Sequence, residues 1–175
     1  MQQKHSAWVA LGVICFSISV ASYLNSRQAR TQRFDYPPYA ESIKSLDSLE
    51  DYAYKQINNH RATKGLPPLA LDAELTKQAR LYSQLMASNQ IPFSKEGLKQ
   101  LNSPVGTSTP HRGFSTLIAN CRGYVNPAQA TVEVWLGDNQ DNTLASIEGQ
   151  YEVTGVGVAK NSAGRYYFTQ ILLHR

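Results

Sequence analysis

Cysteine is almost absent from this chain of 175 residues, which contains only Cys15 and Cys121. Cys15 lies inside an apolar segment, so the two thiols cannot pair if that segment enters a membrane. A framework of several disulfide bonds is excluded in any case. Cys121 is predicted to be a small buried side chain and not a nucleophile, because most free cysteines are buried and inert.

Acidic residues are missing from the N-terminal part of the chain. None precedes Asp35, whereas Lys4, Arg27, Arg30 and Arg33 supply four of the 17 basic residues. From residue 34 onward, 13 basic residues balance 13 acidic ones, so the net charge of +4 belongs to the N-terminal segment. A neutral domain without a basic stripe lacks the charge that nucleic-acid binding requires. We therefore expect no nucleic-acid partner.

Charge of either sign is absent from residues 6–26, which form the one long apolar run. A helix of this length just spans a bilayer core of about 30 Å. Residues 1–26 are therefore predicted to be a signal peptide or a transmembrane anchor that attaches the protein to a membrane. The arginines that follow the run would hold the rest of the chain in the cytoplasm by the positive-inside rule. The charge pattern by itself leaves the orientation open.

The remaining chain divides into a linker and one domain. Residues 27–47 have no hydrophobic period and contain a pair of prolines, which predicts a linker. The domain is assigned to residues 48–175. Within it, Ser115–Cys121 is predicted to be a strand, and the polar stretch 137–146 is predicted to be irregular.

Three helices are indicated by their capping residues. Ser48 is predicted to cap a helix over Leu49–Thr63, and Asp72 a second helix over Ala73–Asn89. Pro127 is suited to the first position of a third helix, because that position needs no backbone N–H. Each helix carries apolar residues at helical spacing.

The C-terminal quarter predicts a β-hairpin. Val153–Val158 and Arg165–Leu173 are rich in strand-forming residues, and Asn161–Gly164 supplies the turn. Gly155 and Gly157 leave one face of the first strand without side chains. Another backbone is therefore expected to approach that face closely.

Two stretches resemble the CAP superfamily of cysteine-rich secretory, antigen 5 and pathogenesis-related-1 proteins. Residues 151–170 read YEVTGVGVAKNSAGRYYFTQ, and residues 58–75 read NNHRATKGLPPLALDAEL. Bacterial members typically carry G-V-G-V-A and Y-[FW]-T-Q strands and an N-x-x-R-x-x-x-G-L-x-P-L-x-x-D-x-x-L segment. The resemblance implies an α+β fold, the three-layer α/β/α sandwich of that family, following an N-terminal hydrophobic helix. It also implies a bacterial type of protein that is exported.

The resemblance further implies a groove with two histidines and two acidic residues, which hold a divalent metal in many members. This chain differs at those positions. Lys95 replaces the first histidine, and its ammonium repels a cation. No Asp or Glu occurs between residues 97 and 132, so Ala119 or Thr116, depending on register, replaces a glutamate. Residues 135–142 contain no histidine where bacterial relatives carry W-x-x-S-P-G-H-R. Tyr167 occupies a strand position that is histidine in eukaryotic members and tyrosine in many bacterial ones, so the metal-binding groove looks degenerate.

Three further residues complete the candidate groove. Asp138 is a candidate for the second acidic position. His111 lies in a variable loop and could reach the groove, although an exposed loop histidine is the simpler interpretation. Gln170 closes the Y-F-T-Q motif. With this residue set we expect no bound metal and no cofactor.

Other chemical readings of the sequence are weaker. His60 lies on the apolar side of the first helix, which favours a hydrogen-bonded histidine over a ligand. The adjacent Ser94 and Lys95 seldom present both groups to one substrate, and nothing marks an oxyanion hole. Glu133, Asp138 and Asp141 could bind calcium, but a solvated loop is the simpler explanation.

These observations favour a binding or structural module of the cell envelope over an enzyme. The expected location is the outer face of the cytoplasmic membrane, or outside the cell after secretion. A hydrolase or peptidase is the enzymatic alternative, and a binder of a lipid or sterol-like ligand is the third. The ligand of a binding module would be a small molecule, a lipid or a cell-wall component.

Overall fold

A computed structural model describes residues 45–96, 112–137 and 142–175. The predicted N-terminal hydrophobic helix lies outside these residues. None of the helices within them is long and apolar enough to cross a membrane. The described elements, in chain order, are α1 (Leu46–Thr63), β1 (Ala70–Leu71), α2 (Ala73–Ala87), β2 (Gly113–Cys121), α3 (Pro127–Gly137), α4 (Thr143–Ile147), β3 (Val153–Lys160) and β4 (Tyr166–His174).

A four-stranded sheet in the order β1-β3-β4-β2 forms the central layer. Strands β3 and β4 are the predicted hairpin, with Gly155 opposite Ile171 and Gly157 opposite Thr169. Strand β2 is antiparallel to β4, and the short β1 is parallel to the start of β3. The turn closes through the N–H of Gly164, which donates to the carbonyl of Asn161 at 3.0 Å.

Each face of the sheet is covered by helices, which confirms the α/β/α sandwich. On one face, apolar side chains of α1 and α3 pack against alternate residues of β2, β3 and β4. On the other face, α2 packs against the intervening residues of β3 and β4 through the predicted stripe of Leu75, Ala79, Tyr82 and Met86. Because successive strand residues point to opposite faces, each strand contributes to both cores.

The glycines of β3 bring α2 close to the sheet. A Cβ atom added at Gly155 would lie 2.2 Å from the carbonyl carbon of Leu75, and one at Gly157 would lie 2.1 Å from that of Ala79. No side chain fits in that space. The predicted close approach is therefore confirmed, and the neighbour is the backbone of a helix.

The start of α1 corrects the sequence prediction. Ser45, and not Ser48, is the N-cap: its backbone is extended, and its Oγ accepts from the N–H of Ser48 at 3.2 Å. Both serines precede apolar helical positions, so the pattern alone could not distinguish them. The helix consequently begins at Leu46, within the segment that was assigned to the linker.

Other boundaries also differ from the prediction. Helix α2 ends at Ala87, because Asn89 has a φ of 57°, which a right-handed helix cannot contain. The stretch 137–146 is not wholly irregular, since α4 begins within it at Thr143. Thr143 and Ile147 are both buried and lie one helical turn apart, so packing stabilises a helix that the polar sequence does not indicate.

Candidate functional site

Tyr167 forms the floor of the candidate groove. It lies on the α2 face of the sheet and is 8% exposed. The ring of Phe93, which is 42% exposed, lies edge-on against it, with 6.1 Å between the ring centroids and 67° between the planes. A half-exposed aromatic side chain therefore covers a buried one, at the strand position that is histidine in eukaryotic members of the family that the sequence resembles.

The register of β2 decides which of its residues share this face. Asn120 is directly opposite Tyr167 on β4, and Ile118 packs against the α2-side core. Alternation places Thr116 on the same face as these two. Ala119 is opposite Phe168 and lies in the core on the other face. Of the two residues that could replace the glutamate, Thr116 and not Ala119 lies on the face of Tyr167.

Gln170 is also separated from the groove. It is fully buried on the face that α1 and α3 cover, where its amide nitrogen donates to the hydroxyl of Thr154 at 3.1 Å. Its Oε1 has no hydrogen-bond partner among the described residues. The structure thus places Gln170 among packing residues and not beside Tyr167.

The remaining candidates are placed only in part. Lys95 is exposed and follows Phe93 by two residues, at the start of a short helical turn. His111 and Asp138 lie outside the described residues. The structure therefore brings Tyr167 together with Phe93 and Asn120, neither of which the sequence had singled out.

The side chains described at this place do not fit a divalent metal. Such an ion needs several imidazole, thiolate or carboxylate donors around one point. The described face offers a phenol, an amide and apolar groups, and Lys95 adds a positive charge. Across the three described ranges, no three residues of the types His, Cys, Asp and Glu are grouped so that they could hold a metal ion.

His60 has a structural partner, in agreement with the sequence interpretation. Its Nε2 lies 2.9 Å from Oε1 of Glu148, and Nζ of Lys64 lies 3.2 Å from the same oxygen. The hydrogen bond from His60, aided by Lys64, lowers the pKa of the Glu148 carboxyl below its usual range. These groups join the end of α1 to the end of α4.

Arg61 is a buried charge that sequence reasoning did not single out. It is 1% exposed and donates to four carbonyl oxygens: Pro67 at 3.0 Å, Ile147 at 2.6 Å, Gly149 at 2.9 Å and Tyr151 at 3.3 Å. Burial lowers the pKa of its guanidinium. The arginine of the N-x-x-R pattern is the signal that could have identified it.

Glu50 is a second buried charge that was missed. Because β1 has only two residues, it leaves the N–H of Val158 on the outer edge of β3 without a strand partner, and Oε1 of Glu50 accepts from it at 3.1 Å. Nε of Arg80 donates to both oxygens of Glu50, at 2.9 and 3.0 Å. The hydrogen bond with Glu50 is the main reason that the pKa of the Arg80 guanidinium is raised.

A cleft of about 440 Å³ opens beside this ion pair, between the start of α1, the middle of α2 and the end of β3. Glu50 is already held by Arg80 and by a backbone N–H, and Arg80 also contacts Asp47 at 2.6 Å. A charged ligand would have to displace these contacts. The cleft is therefore a weaker candidate than the face around Tyr167.

Comparison with known proteins identifies a family. The family model described as the cysteine-rich secretory protein family, CAP, matches residues 54–172. No curated protein sequence matches the chain significantly. The match begins within α1 and ends within β4, so it includes all the elements between them.

Solved structures share the fold at low sequence identity. An outer surface protein from Borrelia burgdorferi superposes with a TM-score of 0.63 and 16% identity, over 75% of this chain and 96% of that one. A cysteine-rich secretory protein from Staphylococcus aureus has a TM-score of 0.58 and 16% identity, over 77% of this chain and 40% of that one. An extracellular protein with an SCP domain from Bacillus anthracis has a TM-score of 0.56 and 20% identity, over 74% and 41%. This chain thus spans about two fifths of the length of the last two.

Proposed function

The chain belongs to the cysteine-rich secretory protein (CAP) family, and we propose that it is an exported, non-catalytic binding module of a bacterial cell envelope. The observation that carries the proposal is the contact between Phe93 and Tyr167. At this place the domain presents an aromatic surface where the family resemblance would place metal ligands. Aromatic faces bind apolar groups and sugar rings without any catalytic chemistry.

The chemistry of the described groups favours binding over hydrolysis. A hydrolase needs an activated nucleophile or an activated water with a base in hydrogen-bond reach. Tyr167 is buried against Phe93, and the amide oxygen of Asn120 accepts from Nη1 of Arg165 at 2.6 Å, which leaves no described base beside the phenol. The export part of the proposal is supported by the Staphylococcus and Bacillus structures, which are described as secretory and extracellular.

A ligand search on the full chain in mild detergent tests the proposal. The purified protein is incubated with a total lipid extract and with soluble peptidoglycan fragments from a bacterial envelope, and its adducts are weighed by native mass spectrometry. We expect one defined adduct that Phe93→Ala loses and that Val134→Ala, an exposed apolar truncation on α3, retains. An adduct that is equally stable in Phe93→Ala, or a hydrolysed product in place of an adduct, would contradict the proposal.

A zinc titration tests the chemistry of the groove separately. With Lys95 in place of a histidine, the full chain is expected to bind zinc no better than about millimolar. Lys95→His alone should not create a site, because a single added imidazole supplies one of the three or four donors that zinc requires. Micromolar affinity in calorimetry, for the wild type or for this variant, would show that a donor set exists at the groove.

A further inference from the structure

Three strand ends meet at one end of the sheet. Cys121, the last residue of β2, and Lys160, the last residue of β3, are both opposite Tyr166, the first residue of β4. The β2–α3 connection at residues 122–126 and the hairpin turn therefore leave the sheet side by side. We call the residues Arg122, Tyr124, Val125, Lys160 and Arg165 the hairpin-end surface.

The two connections that form the hairpin-end surface carry only positive charge, although two acidic residues, Asp47 and Glu50, line the cleft that Lys160 borders. Residues 122–126 and 160–165 contain three basic residues, Arg122, Lys160 and Arg165, and no acidic residue, which gives a local charge of +3. Among the described residues, no carboxylate lies within ion-pair distance of any of the three. Their contacts are with neutral groups. Arg165 donates to Asn120, and Nζ of Lys160 lies 4.9 Å from the centroid of the Tyr166 ring.

Several other described cations differ in this respect, because each has an acidic partner. On the helices, Lys55 pairs with Asp51 at 2.7 Å and Lys64 with Glu148 at 3.2 Å. At the opposite end of the sheet, Arg175 pairs with Asp72 at 3.0 Å. Cations that have an acidic partner are largely compensated, whereas those of the hairpin-end surface are available to an external anion.

Two apolar side chains project beside these cations. Val125 is 96% exposed and Tyr124 is 61% exposed, and they are separated from Arg122 only by Gly123. An isolated exposed apolar residue needs no explanation. Here a valine and a tyrosine lie on one connection, beside three cations that have no acidic partner. This combination suits a ligand surface that presents anionic groups and apolar groups together.

We propose that the hairpin-end surface docks on an anionic lipid bilayer. Basic residues near a membrane are attracted by lipid phosphates, and tyrosine is favoured at the headgroup level, where its ring meets the acyl chains and its hydroxyl meets water. Val125 would enter the same layer. A soluble polyanion could satisfy the three cations, but it would leave Tyr124 and Val125 in water, so the bilayer accounts for more of the surface.

The expected strength follows from the charges. A basic residue near an anionic leaflet contributes about 1 kcal/mol, which is roughly a five-fold change in the docking equilibrium. Removal of all three cations is therefore expected to weaken docking on the order of 100-fold. Salt should weaken docking in the wild type, since the attraction is screened within about 10 Å at 0.1 M ionic strength.

A position-specific fluorescence measurement tests the proposal in the full chain. The apolar N-terminal segment would attach every variant to vesicles equally, so the readout must report on the domain itself. An environment-sensitive dye is attached at Val125→Cys in a background without the native cysteines. A second protein carries the dye at Gln150→Cys, an exposed position just before β3 and hence at the opposite end of the sheet. Both are reconstituted in vesicles of phosphatidylcholine with or without about one third phosphatidylglycerol.

We expect the dye at position 125 to shift to the blue, and to be quenched by spin-labelled lipid, only in the anionic vesicles. The dye at position 150 should remain in water in both. Arg122→Gln, Lys160→Gln and Arg165→Gln combined should abolish the shift at position 125. The matched control combines Lys55→Gln, Lys64→Gln and Lys77→Gln, which removes the same net charge from ion-paired lysines and should retain the shift.

Three results would overturn the proposal. The first is a dye at position 125 that stays in water on anionic vesicles. The second is an equal loss of the shift in the two triple variants, which would show an effect of net charge alone. The third is wild-type binding to soluble polyphosphate as tight as to vesicles of equal phosphate content, which would show that the surface recognises polyanions and not a bilayer. The first and third results are obtained with Arg165 and its partner Asn120 unchanged, so they bear on this surface alone and not on the Phe93–Tyr167 groove.

Discussion

At the scale of single residues, Gly157 is the glycine with the least space for a side chain. A Cβ atom there would lie 2.1 Å from the backbone of Ala79, so a side chain must push α2 away from the sheet. Gly157→Val is expected to lower the free energy of unfolding by about 2–4 kcal/mol through overpacking. Urea denaturation measures this loss.

The chain provides a matched control for this substitution. Gly113 is also a strand glycine, but nothing lies within 4 Å of a Cβ atom built there. Gly113→Val should therefore remain within about 0.5 kcal/mol of the wild type. Equal stability of the two variants would mean that α2 does not lie against β3 as closely as the structure has it.

Glu148 is the residue with a clear dependence on pH. Its carboxyl has a lowered pKa in the folded protein because of the hydrogen bond from His60 and the proximity of Lys64. The stabilisation is fully present above the unfolded pKa of about 4.3 and is lost as the pH falls through the lower folded value. Glu148→Gln should flatten the fall in stability below about pH 4.3, as measured by urea unfolding at a series of pH values. An unchanged acid limb would show that the pair makes no contribution.

At the scale of secondary-structure elements, Arg61 joins the end of α1 to the segment between α4 and β3. Three of its four carbonyl acceptors belong to residues 147–151. That segment leads directly into β3, so these hydrogen bonds fix the position from which the chain enters the sheet. We call this set of four hydrogen bonds the carbonyl clamp. It also explains how the buried charge of Arg61 is tolerated, because each hydrogen bond places a carbonyl dipole against the guanidinium.

Arg61→Lys should be strongly destabilising. A lysine ammonium is a compact group that cannot reach four carbonyls arranged around a planar guanidinium, so at least two buried acceptors lose their donors. The expected loss is about 2–4 kcal/mol in urea denaturation. Arg175→Lys, the same exchange at an exposed ion pair, should cost less than about 1 kcal/mol. Similar losses at the two sites would indicate that the carbonyl clamp is not formed.

At the scale of the whole molecule, the location of the domain is the property to test. The apolar run at residues 6–26 is long enough to span a bilayer, and the proposed function requires export of the domain. We expect alkaline phosphatase fused after Arg175 to be active, since that enzyme works only after export. The three arginines after the run should make export inefficient or leave the segment uncleaved. An inactive alkaline phosphatase fusion, together with a fluorescent fusion to green fluorescent protein, would place the domain in the cytoplasm.

Local signals in the sequence were sufficient for the elements that depend on local chemistry. Asp72 caps α2 through its Oδ1, which accepts from the N–H groups of Glu74 and Leu75, as its position before an apolar period predicted. The hairpin and the glycine-lined face of β3 could also be predicted. In these places the residue that produces the structure is next to the residue that it acts on, so a short window of sequence is enough.

The candidate site required the tertiary structure, because a shift of one residue in strand register turns every side chain to the other face. The sequence left Thr116 and Ala119 as alternatives, and only the pairing of β2 with β4 placed Ala119 and Gln170 away from Tyr167. The contact of Phe93 with Tyr167 joins residues that are far apart in the chain. The sequence by itself determined the family, the three longer helices and the hairpin, through motifs, capping, periodicity and turn residues. Which side chains share a face, and which cations lie together at the end of the sheet, was decided by strand pairing, since that pairing joins residues that no local pattern connects.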